Sequence, residues 1–219
     1  MLPLQTVATA QVGDRAFVLA RRGREWLVRV GGHVLMSSRA HGSEESLATE
    51  ALSRVTEPRD VLIGGLGLGF TLRAVLDRVG ERTRVHVAEL VPELVEWNRV
   101  HLAELHGDAL SDARAQVHVG DVGRLLRRSP ASFDALMLDV DNGPAALSHD
   151  DNRELYTEAG ARACHEALRP GGVLAVWSAG PSESYERQLS RSGFEARSVR
   201  VAAAPQSGTR HVIFVAQRR

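Results

Sequence analysis

Apolar residues fall into two rhythms along this chain. Over the first forty positions, short runs rich in Val, Leu and Trp (Ala16–Leu19, Glu25–Val30 and His33–Met36) are separated by the turn signals ArgArgGly and GlyGly. They predict a small antiparallel ribbon, too thin to be stable alone, that packs on the rest of the chain. Ser43 then precedes GluGluSerLeuAlaThrGluAlaLeu, whose early acids and helical apolar spacing predict a helix. From residue 60 strands and helices alternate. Strands are expected at Val61–Ile63, Arg84–Ala88, Gln116–Val119, Ala135–Leu138 and Val173–Trp177. Helices are expected at Thr71–Val79, at Pro92–Leu105 with Pro92 in its first turn, and near Glu158–Leu168, where ArgProGlyGly stops the last one. ArgLeuLeuArgArg (124–128) reads as a helix end, where cations suit the dipole. The tail predicts a helix near Ser182–Arg191 and a hairpin of Ala196–Val201 with His211–Ala216. Strand–helix alternation means an α/β fold with a mostly parallel sheet covered on both faces. The expected division is a ribbon over 1–42 and a Rossmann-like domain over 43–219.

Composition narrows the chemistry. With 219 residues, 43% apolar and 25% charged, the chain suits one ordinary α/β domain with a small appendage. Basic and acidic residues balance at 27 each, which leaves no bulk field for a nucleic acid or an anionic membrane. Every basic residue is arginine, so Schiff-base catalysis, a lysine base and a Walker-type phosphate loop are excluded. The single cysteine, Cys164, lies in a helical pattern and reads as a buried small side chain. Nine histidines lack metal-ligand spacing, so no metal is expected, and no G-x-S-x-G elbow supports a serine triad. No charged-then-apolar leader and no apolar run of about 18 residues occur, which predicts a soluble, cytoplasmic protein.

The strongest chemical signal is ValLeuIleGlyGlyLeuGlyLeuGlyPheThrLeuArg (61–73). It sets Gly65, Gly67 and Gly69, with Leu68 between them, where a strand turns into a helix. Glycine serves there because the backbone turns sharply and a ligand must approach without a Cβ in the way. Glu89, 20 residues after Gly69, ends the second strand and can accept both hydroxyls of a ribose. Asp121 follows the third strand and can reach an adenine amino group. Asp139 ends the fourth. With the neighbours Leu90 and Val122, these converge at the carboxyl edge of the sheet, where open α/β folds bind ligands. The third place of a dinucleotide fingerprint falls on Phe70, which disfavours NAD and FAD.

These residues resemble the spermidine synthase (polyamine aminopropyltransferase) branch of the class I S-adenosylmethionine-dependent methyltransferase superfamily. The likeness includes the SerGluGlu helix entrance, the glycine loop ending ThrLeuArg, Glu89, Asp121, PheAspAlaLeuMetLeuAsp and LeuArgProGlyGlyValLeuAlaVal. The resemblance implies a seven-stranded sheet in the order 3-2-1-4-5-7-6 and a cofactor that is S-adenosylmethionine or its decarboxylated form. Glu89 would hold the ribose, Asp121 the adenine, and Asp139 the amino end of the cofactor or the attacking amine. The family carries an aspartate in the glycine loop where this chain has Leu68, and a Tyr-His-Glu on the entrance helix where it has Ala48, Thr49 and Glu50. Its Asp-Ser-x-Asp-Pro loop is here Asp139-Val-Asp141-Asn142-Gly143-Pro144. Loss of those polar groups weighs toward methyl transfer to a small-molecule acceptor, with Asp139, Asp141 and Asn142 at the reacting centre. Aminopropyl transfer and a non-catalytic adenosyl-binding subunit are the alternatives.

The acceptor side is expected along 139–156, a long polar segment after the fourth strand. Ser43, Glu44, Tyr156 and Trp177 are the candidate pocket residues. AsnGlyPro differs from the loop that grips a flipped base, so no nucleic-acid substrate and no membrane partner are expected. By analogy a homodimer through the ribbon is expected.

Overall fold

The computed structural model of the chain describes residues 2–140, 143–144, 150–204 and 208–219, the side chains of 150–152 excepted. Two sheets organise it. Strands β1 (Gln5–Val12), β2 (Arg15–Arg22), β3 (Glu25–Val30) and β4 (His33–Ser37) pair antiparallel in chain order. The sequence predicted three of these. β1 escapes because its Ala and Thr residues offer little apolar contrast on a mostly exposed edge, bulged between Thr6 and Ala8.

The larger sheet contains β5 (Asp60–Gly64), β6 (Arg84–Glu89), β7 (Ala115–Val119), β8 (Phe133–Leu138), β9 (Leu168–Ser178), β10 (Phe194–Ala202) and β11 (Arg210–Arg218). They lie side by side as β7-β6-β5-β8-β9-β11-β10, with β11 antiparallel to both neighbours. Counted within this sheet in chain order, that is 3-2-1-4-5-7-6, as the resemblance implied. β5 is buried at every position, the signature of a central parallel strand.

Alternate residues of the central strands feed opposite faces. Leu62, Leu136 and Leu174 meet Val122 and Leu126 of α4 (Val122–Arg127), Ala161 of α5 (Glu158–Ala167) and Leu189 of α6 (Glu183–Arg191). Val61, Ile63 and Met137 meet Leu47 of α1 (Gly42–Leu52), Leu72 of α2 (Phe70–Leu76) and Val95 of α3 (Pro92–Val100). Local caps set several starts: Asp121, Thr157 and Ser182 each accept a backbone N–H in the first turn of α4, α5 and α6. β9 begins five residues before its expected start. Leu168 pairs with Phe133, and Arg169 is then held by Asp60 and Asp134.

The ribbon is seated on the glycine turn. Phe17, Leu19 and Val28 from the ribbon form one apolar cluster with Leu68, Val91, Leu94, Trp97 and Leu102. Among the described residues no helix is long and apolar enough to cross a membrane.

Candidate active site

The carboxyl ends of β5, β6, β7 and β8 open into a cavity of about 640 Å³, within the range of small-molecule sites. The ribbon closes one side through Phe17, Val34 and Met36.

The turn after β5 is shaped by contacts a side chain would destroy. Gly65 has φ +91°, and a Cβ there would collide with the Asp139 carbonyl oxygen. Gly69 starts α2 at φ +84°, where a Cβ would lie 2.5 Å from the His106 ring. Gly65, Gly67 and Leu68 line the cavity, whereas Gly69 stands behind it as the helix start.

Glu89 sits in the wall with its carboxylate held by two backbone amides. Leu66 N–H donates to Oε2 at 2.9 Å, and Val91 N–H donates to Oε1 at 2.8 Å. Burial pushes the Glu89 pKa up, against these amides, which favour the ionised form. Each carboxylate oxygen retains a lone pair for a ligand hydroxyl. Leu90, Asp121 and Val122 line the same end. Asp121 Oδ1 also accepts from Arg124 N–H at 2.7 Å, so its carboxylate is both helix cap and cavity wall.

The opposite end is acidic. Asp139 follows β8 and accepts the Thr71 hydroxyl at 2.6 Å; burial raises its pKa and that hydroxyl opposes the rise. Glu44, from the first turn of α1, lines the cavity and accepts the Ser43 hydroxyl at 2.6 Å. Burial and the neighbouring Asp139 charge push Glu44 up to about 7, against the Ser43 hydrogen bond. His211 Nδ1 lies 3.1 Å from Ser43 Oγ, and Trp177 packs edge-on against the His211 ring at 4.6 Å.

Of the expected acceptor residues, Ser43, Glu44 and Trp177 line the cavity. Tyr156 does not join them. It is buried against Tyr185, and its hydroxyl donates to the Val140 carbonyl at 2.7 Å. Asp141 and Asn142 lie outside the described residues. Thr71, His211 and the ribbon residues carried no sequence signal as site residues: Ser43 and His211 are 168 positions apart, and only the packing of α1 against β11 brings them together. Among the described residues no group of three His, Cys, Asp or Glu side chains is arranged to hold a metal.

The architecture is shared with solved spermidine synthases. The crystal structure of spermidine synthase from Thermotoga maritima superposes with a TM-score of 0.79 at 20% identity, over 98% of this chain and 73% of that one. A spermidine synthase in complex with the transition state analogue AdoDATO gives 0.78 at 19% identity, with the same coverage. At that identity the likeness shows the fold.

Sequence relatives are closer. Polyamine aminopropyltransferase 2 of Pseudomonas aeruginosa is 42% identical over 143 residues, 61% of this chain and 39% of the relative. Polyamine aminopropyltransferase 2 of Hyperthermus butylicus is 34% identical over 148 residues, 66% of this chain and 46% of the relative. The chain thus spans less than half the length of either.

These relatives overturn the expectation of a methyltransferase, because each is a polyamine aminopropyltransferase. The structure supplies the physical reason. The loss of an anion at Leu68 was read from the loop alone; Leu68 lines the cavity and also packs against the ribbon cluster. A second carboxylate reaches the Asp139 end from a different element, as Glu44. The description Spermine/spermidine synthase domain matches residues 40–204, which include the glycine turn, Glu89, Asp121 and Asp139. The chain therefore belongs to the spermine/spermidine synthase domain family.

Proposed function

We propose that this chain transfers an aminopropyl group from decarboxylated S-adenosylmethionine to a polyamine-type amine. The observation that carries the reading is the polarity of one continuous cavity. At one end a buried carboxylate and a glycine turn suit a ribose, and at the other the acids Glu44 and Asp139 suit a cation.

The donor substrate supplies a carbon activated by a sulfonium. The acceptor nitrogen bonds to that carbon while the carbon–sulfur bond breaks. The electron pair stays on sulfur, leaving a neutral thioether nucleoside, and the nitrogen gives up one proton. The chain contributes mainly position. Glu89 accepts the ribose hydroxyls and Asp121 the adenine amino group. Asp139 holds the amino end of the donor or the attacking amine, with Asp141 and Asn142, two and three positions later in sequence, as partners for the amine. The aromatic face of Trp177 suits the methylene chain of such a substrate.

The test is a direct assay. Purified protein is incubated with decarboxylated S-adenosylmethionine and a series of diamines and polyamines, and 5′-methylthioadenosine is measured by chromatography. Amine-dependent release, with the aminopropylated amine as co-product, supports the reading. Absence of both products across the series rejects it.

A further inference from the structure

We propose that Glu44 makes this cavity select an ammonium-bearing ligand. Its carboxylate and that of Asp139 share one primary ammonium, and Ser43 with His211 hold Glu44 in place. This inference rests on the proposed donor-binding function and names the residue that gives it specificity.

Two neighbouring anions at one cavity are an unfavourable arrangement in the empty protein, and the same cavity wall also carries Arg15 of β2 and Asp14. Among the described residues neither Glu44 nor Asp139 forms an ion pair with an arginine or histidine, although arginines elsewhere pair freely with acids. Each carboxylate instead receives one neutral hydroxyl, from Ser43 and from Thr71. The neighbouring charges that raise the Glu44 pKa are Asp139 after β8 and Glu45 on its own helix, and Asp14 and Arg15 line the same cavity. Glu45 is occupied by His41 at 2.8 Å. The third element behind Glu44 is β11, which contributes His211 through Ser43.

The hydrogen-bond directions follow from proton counting. Ser43 has one hydroxyl proton and donates it to Glu44. His211 Nδ1 must then carry a proton and donate to Ser43 Oγ, and burial lowers the His211 pKa, which keeps the ring neutral. Trp177 fixes the plane of that ring. The line His211–Ser43–Glu44 thus presents an oriented acceptor and brings no positive charge of its own to Glu44. Without a cation, the acids relieve their repulsion by retaining a proton on Glu44. An arriving ammonium displaces that proton. A ligand carboxylate at the same place would meet two anions instead.

Calorimetric titration at pH 7, in two buffers of different ionisation enthalpy, tests this. The probes are decarboxylated S-adenosylmethionine and 5′-methylthioadenosine, which keeps the nucleoside and lacks the ammonium. The wild-type chain is expected to release a fraction of a proton on binding the first and none on binding the second. Glu44→Gln should keep its affinity for 5′-methylthioadenosine, lose roughly 10- to 100-fold for the ammonium-bearing probe, and lose the proton release. Glu44→Asp should restore part of both, and Ser43→Ala should lose less than Glu44→Gln. If Glu44→Gln binds the ammonium probe as tightly as wild type with the same proton release, the inference is overturned and the proposed function stands. An equal loss for both probes also overturns it, since Glu44 would then be structural. Failure of the wild-type chain to bind either probe removes the proposed function and this inference with it.

Discussion

The Glu89 carboxylate accepts the Leu66 backbone N–H at 2.9 Å, so the acid at the end of β6 holds the glycine turn that follows β5. One side chain therefore shapes the loop and faces the cavity. Glu89→Gln replaces one acceptor oxygen by an NH₂ that cannot accept from Leu66 or Val91. The expected cost is about 1–3 kcal/mol of stability for the unsatisfied buried amide, read by urea unfolding. Binding of 5′-methylthioadenosine should fall by at least roughly tenfold. A variant with full stability and full nucleoside affinity would show that the two amides find other partners.

Leu68 tests whether the loop residue or the tertiary arrangement controls charge in the site. Its side chain packs with Phe17, Leu19 and Val28 under the ribbon. Leu68→Asp is expected to lower stability by about 2–4 kcal/mol, because a carboxylate replaces an apolar contact between the cavity wall and the ribbon cluster. It should not tighten the binding of decarboxylated S-adenosylmethionine. Denaturant midpoints and one calorimetric titration decide both points.

At the far end of the sheet, Asp60 ties three strands together. Arg84 donates to it twice, at 2.6 and 2.9 Å, Arg169 at 3.0 Å, and His86 lies at 3.3 Å. Burial would raise its pKa, but these hydrogen bonds overcome that and hold it at about 2. A depressed carboxyl contributes stability above its unfolded pKa, near 3.8, and that contribution is lost as pH falls toward about 2. Asp60→Asn should cost about 2–4 kcal/mol at pH 7, since Arg169 loses half of its carboxylate pairing. The gap to wild type should narrow below pH 3.8. Melting temperatures from pH 7 to pH 2.5 give the comparison.

Glu44 has the opposite sign. Its folded pKa, raised to about 7 from 4.5, means that the folded chain binds more protons than the unfolded one between those values. Stability from this group therefore falls as pH rises from about 4.5 through about 7. Glu44→Gln removes the penalty, and the variant should be more stable than wild type by about 1–2 kcal/mol at pH 8. The difference should fade below pH 4.5. Parallel urea titrations at pH 8 and pH 4.5 check it; equal stability at both would mean that Glu44 ionises without strain in the empty cavity.

Much of this could be read along the chain, for identifiable reasons. Continuous apolar runs such as Val61–Ile63 and Ala135–Leu138 specify central parallel strands, and glycines at positive φ mark the turn between β5 and α2. Glu89 and Asp121 stand at strand ends, where α/β folds place ligand groups. Tyr156 misled because its long polar neighbourhood suggested a pocket wall. Its ring faces Tyr185 in the core, and its hydroxyl is satisfied by a backbone carbonyl. β1 was missed because its inward face, Ala8, Ala10 and Val12, is small and only partly buried.

The sequence by itself determined the fold class, the glycine turn and the strand-end acids Glu89 and Asp121, because these depend on local periodicity and short spacings. The tertiary structure decided that Glu44 and Asp139, separate candidates along the chain, act on each other at one end of the cavity. Glu44 lies in helix α1 and Asp139 just after strand β8, and Ser43 meets His211 across 168 residues. Electrostatic interaction follows distance in space rather than along the chain, so the missing anion at Leu68 pointed one way and the folded site another.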